Sequence, residues 1–460
     1  MIRKTLALAA VLVVALAYSG RTMQRQFRSS NPVVLFEGAL LIAGDGSQPL
    51  QNSAMLVENG TITRIGAKGA VAVPRSGARV DLTGKTVMPA LINTHGHPGF
   101  QRGLTYGAEN YTRETIVDDL NRALYFGIAA VQSQGIEKGD VMYQIRADQE
   151  AGRLGGAQLR IAGRGIGAPN AGPGAAAYAG IAYEITTEDQ AKQAVQELAA
   201  KKVNLIKIWV DDRNGRAPRL ASNLYRTIIE EGHKRRLQVN AHVFYHSDAV
   251  DLVDAGIDGL AHLVRDKEMD DALVASIVKR NVYVMPNLSP EWNTYMELPH
   301  WLKDGDPLLL LLQESVSPPV IERMRKAYEN RNPAAVERTR TQYAILQRSL
   351  AKLAKANAKI ILGSDTGLED HLFGMSEQRE LESMVNAGMT PMQVIVAATS
   401  RAAEYAKLDK SGLLAPGKEA SFLVLDANPL DNITNTQRIS GIYVKGVEVD
   451  RASLRPSLTN

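Results

Sequence analysis

Short apolar runs separated by turn residues lie at both ends of the chain. They cover residues 33–43, 54–58 and 61–65 near the start, and residues 421–426 and 442–449 near the end. Turn pairs interrupt these runs at Asn59-Gly60 and Lys445-Gly446, and Asn-Gly between apolar runs is a strong hairpin signal. Both ends of the chain are therefore predicted to form β-strands.

Between these ends, strand-like and helix-like patterns alternate. The predicted strands are residues 86–92, 127–132, 158–162, 203–210, 237–242, 257–262, 282–285 and 359–365. Thr187, followed three residues later by Gln190, forms a capping-box pattern for a helix over residues 187–201, and Gly256 ends a helix over residues 247–255. Such alternation predicts βα units and a parallel sheet.

The predicted fold is α/β: a TIM-like (β/α)8 barrel with a small β-sandwich domain built from both chain ends. We expect residues 32–88 and 412–450 to form the sandwich and residues 89–411 to form the barrel. Residues 163–180, rich in Gly, Ala and Pro, are expected to be a functional or mobile loop. Residues 290–333 include Trp292, Tyr295 and Trp301, and they suit either a lid over the barrel mouth or a helical insertion packed outside it.

The first residues have the pattern of a targeting segment. Arg3 and Lys4 precede an apolar run over residues 6–17, whose last residues Ala15-Leu16-Ala17 are of the small type found before signal-peptidase cleavage. We therefore expect a signal peptide at residues 1–19 and an exported protein, periplasmic or secreted. An uncleaved segment is the alternative, and it is the one membrane contact that we expect, although the run is shorter than the about 20 apolar residues of a comfortable span.

Composition narrows the classes of function and of ligand. The chain of 460 residues has 45% hydrophobic and 22% charged residues, which is typical of globular proteins. Its net charge is only +4 and its basic residues are dispersed, so we expect no nucleic-acid partner. It has no Cys, which excludes disulfides and a lipidated cysteine. A metal would need His, carboxylate or lysine-derived oxygen ligands.

Histidines occur where predicted strands end. In Asn93-Thr94-His95-Gly96-His97, the two histidines are two residues apart, so a strand would direct both imidazoles to one point, as metal binding requires. The preceding apolar run is typical of buried parallel strands, whose carboxyl ends form the active face of α/β barrels. His242, His262 and Asp365 end three later strands.

Lys207 lies in the middle of the apolar strand 203–210, where an unpaired ammonium would be very costly. It could reach the barrel rim or pair with Asp211, Asp212 or another carboxylate. Alternatively, it is converted into a carbamate that bridges two metals.

Taken in order, these residues resemble the ligand set of the amidohydrolase superfamily in its dinuclear, carboxylated-lysine form. The set is His95, His97, Lys207, His242, His262 and Asp365. Residues 388–391 and 397–399 resemble the helical segment after the eighth strand, and residues 412–420 and 424–430 resemble the return into the β-sandwich. The chain is most similar to the imidazolonepropionase-like and prolidase-like members. Two departures are Asn93 and Ser421, where the family usually has Asp.

The resemblance implies two divalent metal ions, with zinc expected and manganese, iron or cobalt suited to the same ligands. It implies that His95, His97 and Asp365 hold one ion, that His242 and His262 hold the other, and that a CO2-derived carbamate on Lys207 bridges both. Asp365 would act as the catalytic acid and base toward a hydroxide that bridges the metals.

Other polar residues near these strand ends are candidates for substrate contact. Tyr245, His246 and Arg265 could line the pocket, and Arg265 could instead pair with Asp266 or Asp270. The remaining histidines lie elsewhere: His233 in a solvated helix end, and His300 and His371 in loops.

The predicted function is therefore that of an exported metal-dependent amidohydrolase. It would cleave an amide or peptide bond in a small molecule or short peptide, such as a dipeptide or an N-acyl amino acid. One alternative keeps the fold and changes the bond to a cyclic amide, a lactone or a phosphoester. The other is a binding protein without catalysis. A homo-oligomer is compatible with the sequence.

Overall fold

A computed structural model describes residues 32–172, 176–212, 215–290 and 299–458. The predicted signal peptide at residues 1–19 lies outside the described residues. Within the described ranges, no helix combines the length and apolar character that a membrane crossing requires.

The fold is α/β, with helices and strands alternating through the middle of the chain. The α-helices are Arg113–Tyr125, Val141–Glu150, Glu188–Ala200, Ser222–Lys234, His246–Ala255, Asp271–Lys279, Pro307–Gln313, Pro318–Glu329, Pro333–Lys355, Met375–Asn386, Pro391–Ala398, Ser400–Tyr405 and Arg451–Leu458. The predicted capping box of Thr187 and Gln190 is confirmed, as is the left-handed Gly256 that ends the helix His246–Ala255.

Two β-sheets use strands from the chain ends. One has the strands Thr61–Ala67, Ser53–Glu58, Val33–Glu37 and Ala78–Asp81, and the other has Leu40–Leu41, Thr86–Pro89, Phe422–Leu425, Ile439–Val444 and Val447–Glu448. The second sheet joins the two ends directly, because Phe422–Leu425 pairs antiparallel with Thr86–Pro89. Both predicted hairpins are present, at Asn59-Gly60 and at Lys445-Gly446.

One apolar cluster packs between these two sheets. The Phe36 ring meets the Phe422 ring edge to face at 5.0 Å, and Phe422 stacks on Tyr443 with centroids 4.6 Å apart. Because Phe36 lies near the start of the chain and Phe422 near its end, this packing holds the two ends of the chain together.

Two sheets of parallel strands lie in the middle of the chain, together with a short antiparallel pair formed by Gln101–Arg102 and Thr105–Tyr106. One sheet has the strands Gln158–Arg160, Ile128–Ser133 and Leu91–Gly96 in that order, and the other has Tyr183–Glu184, Ile166–Gly167, Leu205–Trp209, Gln238–His242, Gly259–Ala261, Tyr283–Met285 and Lys359–Ile360. Backbone hydrogen bonds link both edges of the three-stranded sheet to the seven-stranded sheet. Thr94 donates to the Leu362 carbonyl at 2.9 Å, and Asn204 donates to the Ile161 carbonyl at 2.7 Å.

Two segments in which no individual strand or helix is predicted contain regular structure: residues 163–180 and residues 290–333. Within residues 163–180, Ile166–Gly167 forms a strand and Ala176–Tyr178 a 3-10 turn. The described part of residues 290–333 contains the 3-10 turn His300–Leu302 and the helices Pro307–Gln313 and Pro318–Glu329. Trp301 is fully buried in the principal core, which favours a packed insertion over a lid. Trp292 and Tyr295 lie outside the described residues.

Candidate metal centre

The parallel strands deliver their polar residues to one edge. His95 lies in Leu91–Gly96, and His242 ends Gln238–His242. In the register of the sheet, Trp209 faces His242, and His242 faces Ala261, the residue before His262. Alignment of the carboxyl ends therefore places side chains that are far apart in sequence beside one another.

Asp365 is the centre of this group. Its Oδ1 lies 2.9 Å from Nε2 of His97 and 3.1 Å from Nε2 of His95, and its Oδ2 lies 3.8 Å from Nε2 of His262. Ligand atoms of His95, His262 and Asp365 all lie within 4.8 Å of one another. These four side chains converge on one volume, as metal binding requires.

His242 extends the group on the side of His262. The centroids of the two rings are 4.4 Å apart. Nε2 of His242 lies 3.5 Å from Oδ1 of Asp211, a buried carboxylate. His242 is thus next to the group around Asp365, although it does not touch Asp365 itself at ion-pair distance.

Lys207 is 1% exposed, so it does not reach the rim of the sheet. Its Nζ has no hydrogen-bond partner among the described residues. Burial lowers the pKa of Lys207 to about 7, although the charges of Asp365 and Asp211 oppose the change. Asp212, the other suggested partner, instead accepts hydrogen bonds from Tyr245 and Arg219. A buried amine without a partner is costly, and this position needs a chemical explanation.

The protonation states favour metal ligation. Burial lowers the pKa of His95 to about 3 and the pKa values of His242 and His262 well below their ordinary range. Burial alone would raise the pKa of Asp365, but its close contacts with His95 and His97 hold it well below its usual value. Neutral imidazoles around a carboxylate are a donor set that suits zinc and related divalent ions. The residues present therefore fit a divalent metal.

The three predicted substrate residues lie in different surroundings. Tyr245 donates to Asp212 at 2.8 Å, with the Arg219 guanidinium over its ring. His246 is buried at the start of its helix, 3.2 Å from Asp270, which indicates a structural role. Arg265 reaches the candidate metal centre, where its Nη2 lies 3.0 Å from Nδ1 of His262.

The other histidines lie apart from the cluster at Asp365. His233 pairs with Asp258 at 2.8 Å on the surface, and His300 lies between two carboxylates. His371 is buried, which lowers its pKa to about 4.

Three further polar side chains support the proposed ligands: Asn93, noted in the sequence only as a departure from the family pattern, and Asn287 and Glu377, which no prediction includes. Asn287 lies next to Nδ1 of both His95 and His262. Asn93 accepts from the backbone N–H of His95 and donates to the buried Glu377 at 2.5 Å. Asn287 follows a predicted strand, as the proposed ligands do, so its position in the sequence could have identified it as a site residue. Glu377 lies on a helix, and no sequence pattern marks it.

An aromatic wall adjoins the same edge. The Tyr178 ring centroid is 6.2 Å from that of His97, and its hydroxyl is hydrogen-bonded to the hydroxyl of Tyr106. Phe100 and Trp209 belong to the same apolar cluster. Apolar surface beside a polar centre is typical of small-molecule sites.

Comparisons with known proteins agree with this arrangement. The model of the amidohydrolase family matches residues 86–449. A stretch of 114 residues is 30% identical to an uncharacterized protein of Mycobacterium tuberculosis, covering 24% of this chain and 30% of that protein. The match therefore spans less than a third of the length of that relative.

Solved structures resemble the chain over nearly its whole length. A putative prolidase from Bifidobacterium longum has a TM-score of 0.73 at 23% identity, covering 93% of this chain and 98% of its own. A Xaa-Pro dipeptidase with methionine bound in its active site has a TM-score of 0.69 at 18% identity, covering 90% and 99%. At these identities the likeness is one of fold.

Proposed function

This chain belongs to the amidohydrolase family, and from this premise we propose that it is an exported enzyme that hydrolyses an amide or peptide bond in a small substrate. The enzyme is a hydrolase of carbon–nitrogen bonds. Dipeptides and N-acyl amino acids are the proposed substrates. The observation that supports the proposal most strongly is the convergence of His95, His97 and His262 on the Asp365 carboxylate.

We propose that two divalent ions, zinc by preference, occupy this edge. His95, His97 and Asp365 would hold one ion, His242 and His262 the other, and a carbamate formed from CO2 and Lys207 would join them. The buried Nζ of Lys207, without a hydrogen-bond partner among the described residues, supports this role. When bound, such ions lower the pKa of water to about 7 and polarise the substrate carbonyl.

Asp365 is proposed to move the proton. Amide hydrolysis adds water across the carbon–nitrogen bond, so the leaving amine needs a proton as the bond breaks. Oδ1 of Asp365 faces His95 and His97, while Oδ2 is 3.8 Å from His262 and is less crowded. Oδ2 is therefore the atom that we propose takes a proton from water and passes it to the departing nitrogen.

Two features favour a substrate with both a carboxylate and an apolar group. Arg265 lies beside His262 and can bind a carboxylate through its fixed N–H fork. The wall around Tyr178 offers apolar contact on the side of His97. The resemblance in fold to a Xaa-Pro dipeptidase agrees with a dipeptide or an N-acyl amino acid.

The finer architecture is also proposed. The links from Thr94 to Leu362 and from Asn204 to Ile161 support a ring of eight parallel strands, the TIM-like barrel. The sheets formed by the two ends of the chain, with their shared apolar cluster, support a separate small β-sandwich. Export rests on the sequence of the first 19 residues.

A substrate screen tests the proposed reaction. The protein, loaded with zinc or manganese in bicarbonate buffer, is assayed against Xaa-Pro and other dipeptides, N-acyl amino acids, lactones and organophosphates. We expect amide cleavage to be fastest, and Asp365→Asn to abolish it while the fold is kept. Turnover confined to lactones or phosphoesters would contradict the proposal, and binding without turnover of any compound would indicate a binding protein.

A further inference from the structure

Asn287 lies between two of the proposed metal ligands. It follows the strand Tyr283–Met285, is 1% exposed and has a φ of 50°. Its amide group has four polar neighbours: the Gly363 carbonyl oxygen, the backbone N–H of His262, and the Nδ1 atoms of His95 and His262. A single side chain therefore contacts two imidazoles on the side opposite to Asp365.

Only one orientation of the amide satisfies these neighbours. A carbonyl oxygen only accepts, so the amide nitrogen must face Gly363, to which it donates at 2.6 Å. The amide oxygen then lies 2.8 Å from Nδ1 of His95 and 3.2 Å from Nδ1 of His262. An oxygen in this position accepts a hydrogen from each Nδ1.

This orientation determines which ring nitrogen is free. A neutral imidazole carries one hydrogen, so an N–H at Nδ1 leaves the lone pair on Nε2. Nε2 is the atom that each ring directs toward Asp365, at 3.1 Å from His95 and 3.8 Å from His262. Asn287 thus selects the tautomer that both histidines need to bind a metal through Nε2.

Arg265 competes with Asn287 at His262. Its Nη2 lies 3.0 Å from the same Nδ1, and a guanidinium can only donate. Donation by Arg265 would require a hydrogen on Nε2, which blocks metal binding there. The two contacts are therefore mutually exclusive, and the tautomer that binds metal uses Asn287.

We propose that Asn287 is a positioning residue that holds His95 and His262 together in the tautomer that binds metal through Nε2. This inference rests on the proposed metal-dependent function. The backbone around Asn287 fits the role. Asn tolerates a positive φ better than most residues, and a Cβ at position 363 would lie 2.9 Å from the Asn287 amide, which explains Gly363.

Three variants test the role. Asn287→Gly removes the oxygen and keeps a residue that suits the positive φ, while Asn287→Asp keeps an oxygen acceptor for both imidazoles. Asn281→Gly is the matched control, since Asn281 also has a positive φ (57°) but lies on the surface at the end of the helix Asp271–Lys279. Zinc affinity is measured by competition with a chromophoric chelator, and ligand geometry by the absorption spectrum of the cobalt-loaded protein.

We expect Asn287→Gly to bind zinc about 10- to 100-fold more weakly, as is usual when a partner of a metal-binding histidine is lost. Its cobalt spectrum should change, Asn287→Asp should restore most of the affinity, and Asn281→Gly should match the parent. Equal zinc affinity in folded Asn287→Gly would overturn the inference. Absence of metal binding by the parent would instead overturn the proposed function.

The tautomers can also be read in the parent protein, whether or not the glycine variant folds. Two-bond 1H–15N correlation spectra of the zinc-loaded protein, labelled with 15N-histidine, report which ring nitrogen carries hydrogen. We expect Nδ1–H at His95 and His262. Hydrogen on Nε2 of either ring would contradict the role of Asn287.

Discussion

Backbone conformation at the site is unusual for the residues that occupy it. His262, Asn287 and Asp365 have φ values of 75°, 50° and 53°, in the left-handed region. Such conformations cost ~1–3 kcal/mol each outside glycine and persist where the surrounding structure enforces them. All three follow parallel strands, so the chain turns abruptly at the edge where side chains must point inward. Gly would relieve the strain but would supply neither ligand nor hydrogen bond.

Among single residues, Lys207 gives the sharpest test of the proposed metal site. If its carbamate joins two ions, Lys207→Ala should lower kcat/KM by more than about a hundredfold, since loss of an outer partner alone costs 10- to 100-fold. Short carboxylic acids such as acetate or propionate should restore part of the activity by filling the space that the carbamate leaves. Steady-state assays with and without added acid measure both effects.

Lys192→Ala is the control for that substitution, because Lys192 is exposed on the helix Glu188–Ala200. It should behave as the parent in both assays. Full activity of Lys207→Ala in the absence of added acid would exclude the bridging role.

For single residues, position at the end of a predicted strand was the informative signal in the sequence for membership of the site. It selects His95, His242, His262 and Asp365, which the structure brings to one edge because parallel strands end together. The same signal does not reveal the supporting contacts. Glu377 is 284 residues from Asn93 in the chain, and which helix packs behind a strand depends on the tertiary fold.

Among the secondary-structure elements, the helix Met375–Asn386 links the site to its surroundings. Glu377 accepts from Asn93, and Glu380 accepts from the backbone N–H groups of Leu288 and Ser289, just after Asn287. On its outer side, Glu382 pairs with Nε2 of His300 at 2.8 Å, while Nδ1 of His300 pairs with Asp306 at 3.0 Å. His300 therefore links the insertion at residues 290–333 to the helix Met375–Asn386, whose side chains support the proposed ligands.

This contact should make stability depend on pH. Hydrogen bonds to Asp306 and Glu382 raise the pKa of His300 to about 10 from its ordinary 6.5. A histidine with a raised pKa contributes its full stabilisation below about pH 6.5 and loses it as the pH rises toward 10. We expect His300→Gln to lower the Tm by a few degrees at pH 6 and to leave it equal to that of the parent near pH 10.5.

Scanning calorimetry of parent and variant across this range measures the difference. Glu382→Gln removes one of the two carboxylates and should show a smaller dependence of the same sign. A Tm deficit of His300→Gln that is the same at both pH values would contradict the explanation.

Helix ends and turns that short sequence patterns mark were predictable from the sequence. Strands whose position depends on pairing with distant strands were not. The capping box at Thr187 and the hairpin at Asn59-Gly60 are local and are present as predicted. The strand Ala78–Asp81 is only 4 residues long, with Ala and Val alternating with Arg and Asp, and it gains its place by pairing with Val33–Glu37. Ile166–Gly167 likewise depends on its neighbour Leu205–Trp209, so a composition-based interpretation treats it as loop.

In the molecule as a whole, the end of the chain is joined to the segment that precedes the strand Leu91–Gly96. The strand Phe422–Leu425 pairs antiparallel with Thr86–Pro89. Only Ala90 separates Thr86–Pro89 from Leu91–Gly96, which contains His95. The β-rich ends therefore anchor the strand that contains His95 and leads directly to His97. The sequence patterns predicted strands at both ends of the chain and alternating strands and helices between them, whereas the partner of each strand became clear only from the structure.

Counting the metal ions per chain tests the central claim most directly. The parent protein is reconstituted with zinc and bicarbonate, freed of loosely bound metal, and measured by inductively coupled plasma and native mass spectrometry. We predict two ions per chain, together with the mass of one added CO2 that is absent from Lys207→Ala. A saturated parent protein that holds one ion or none would contradict the account.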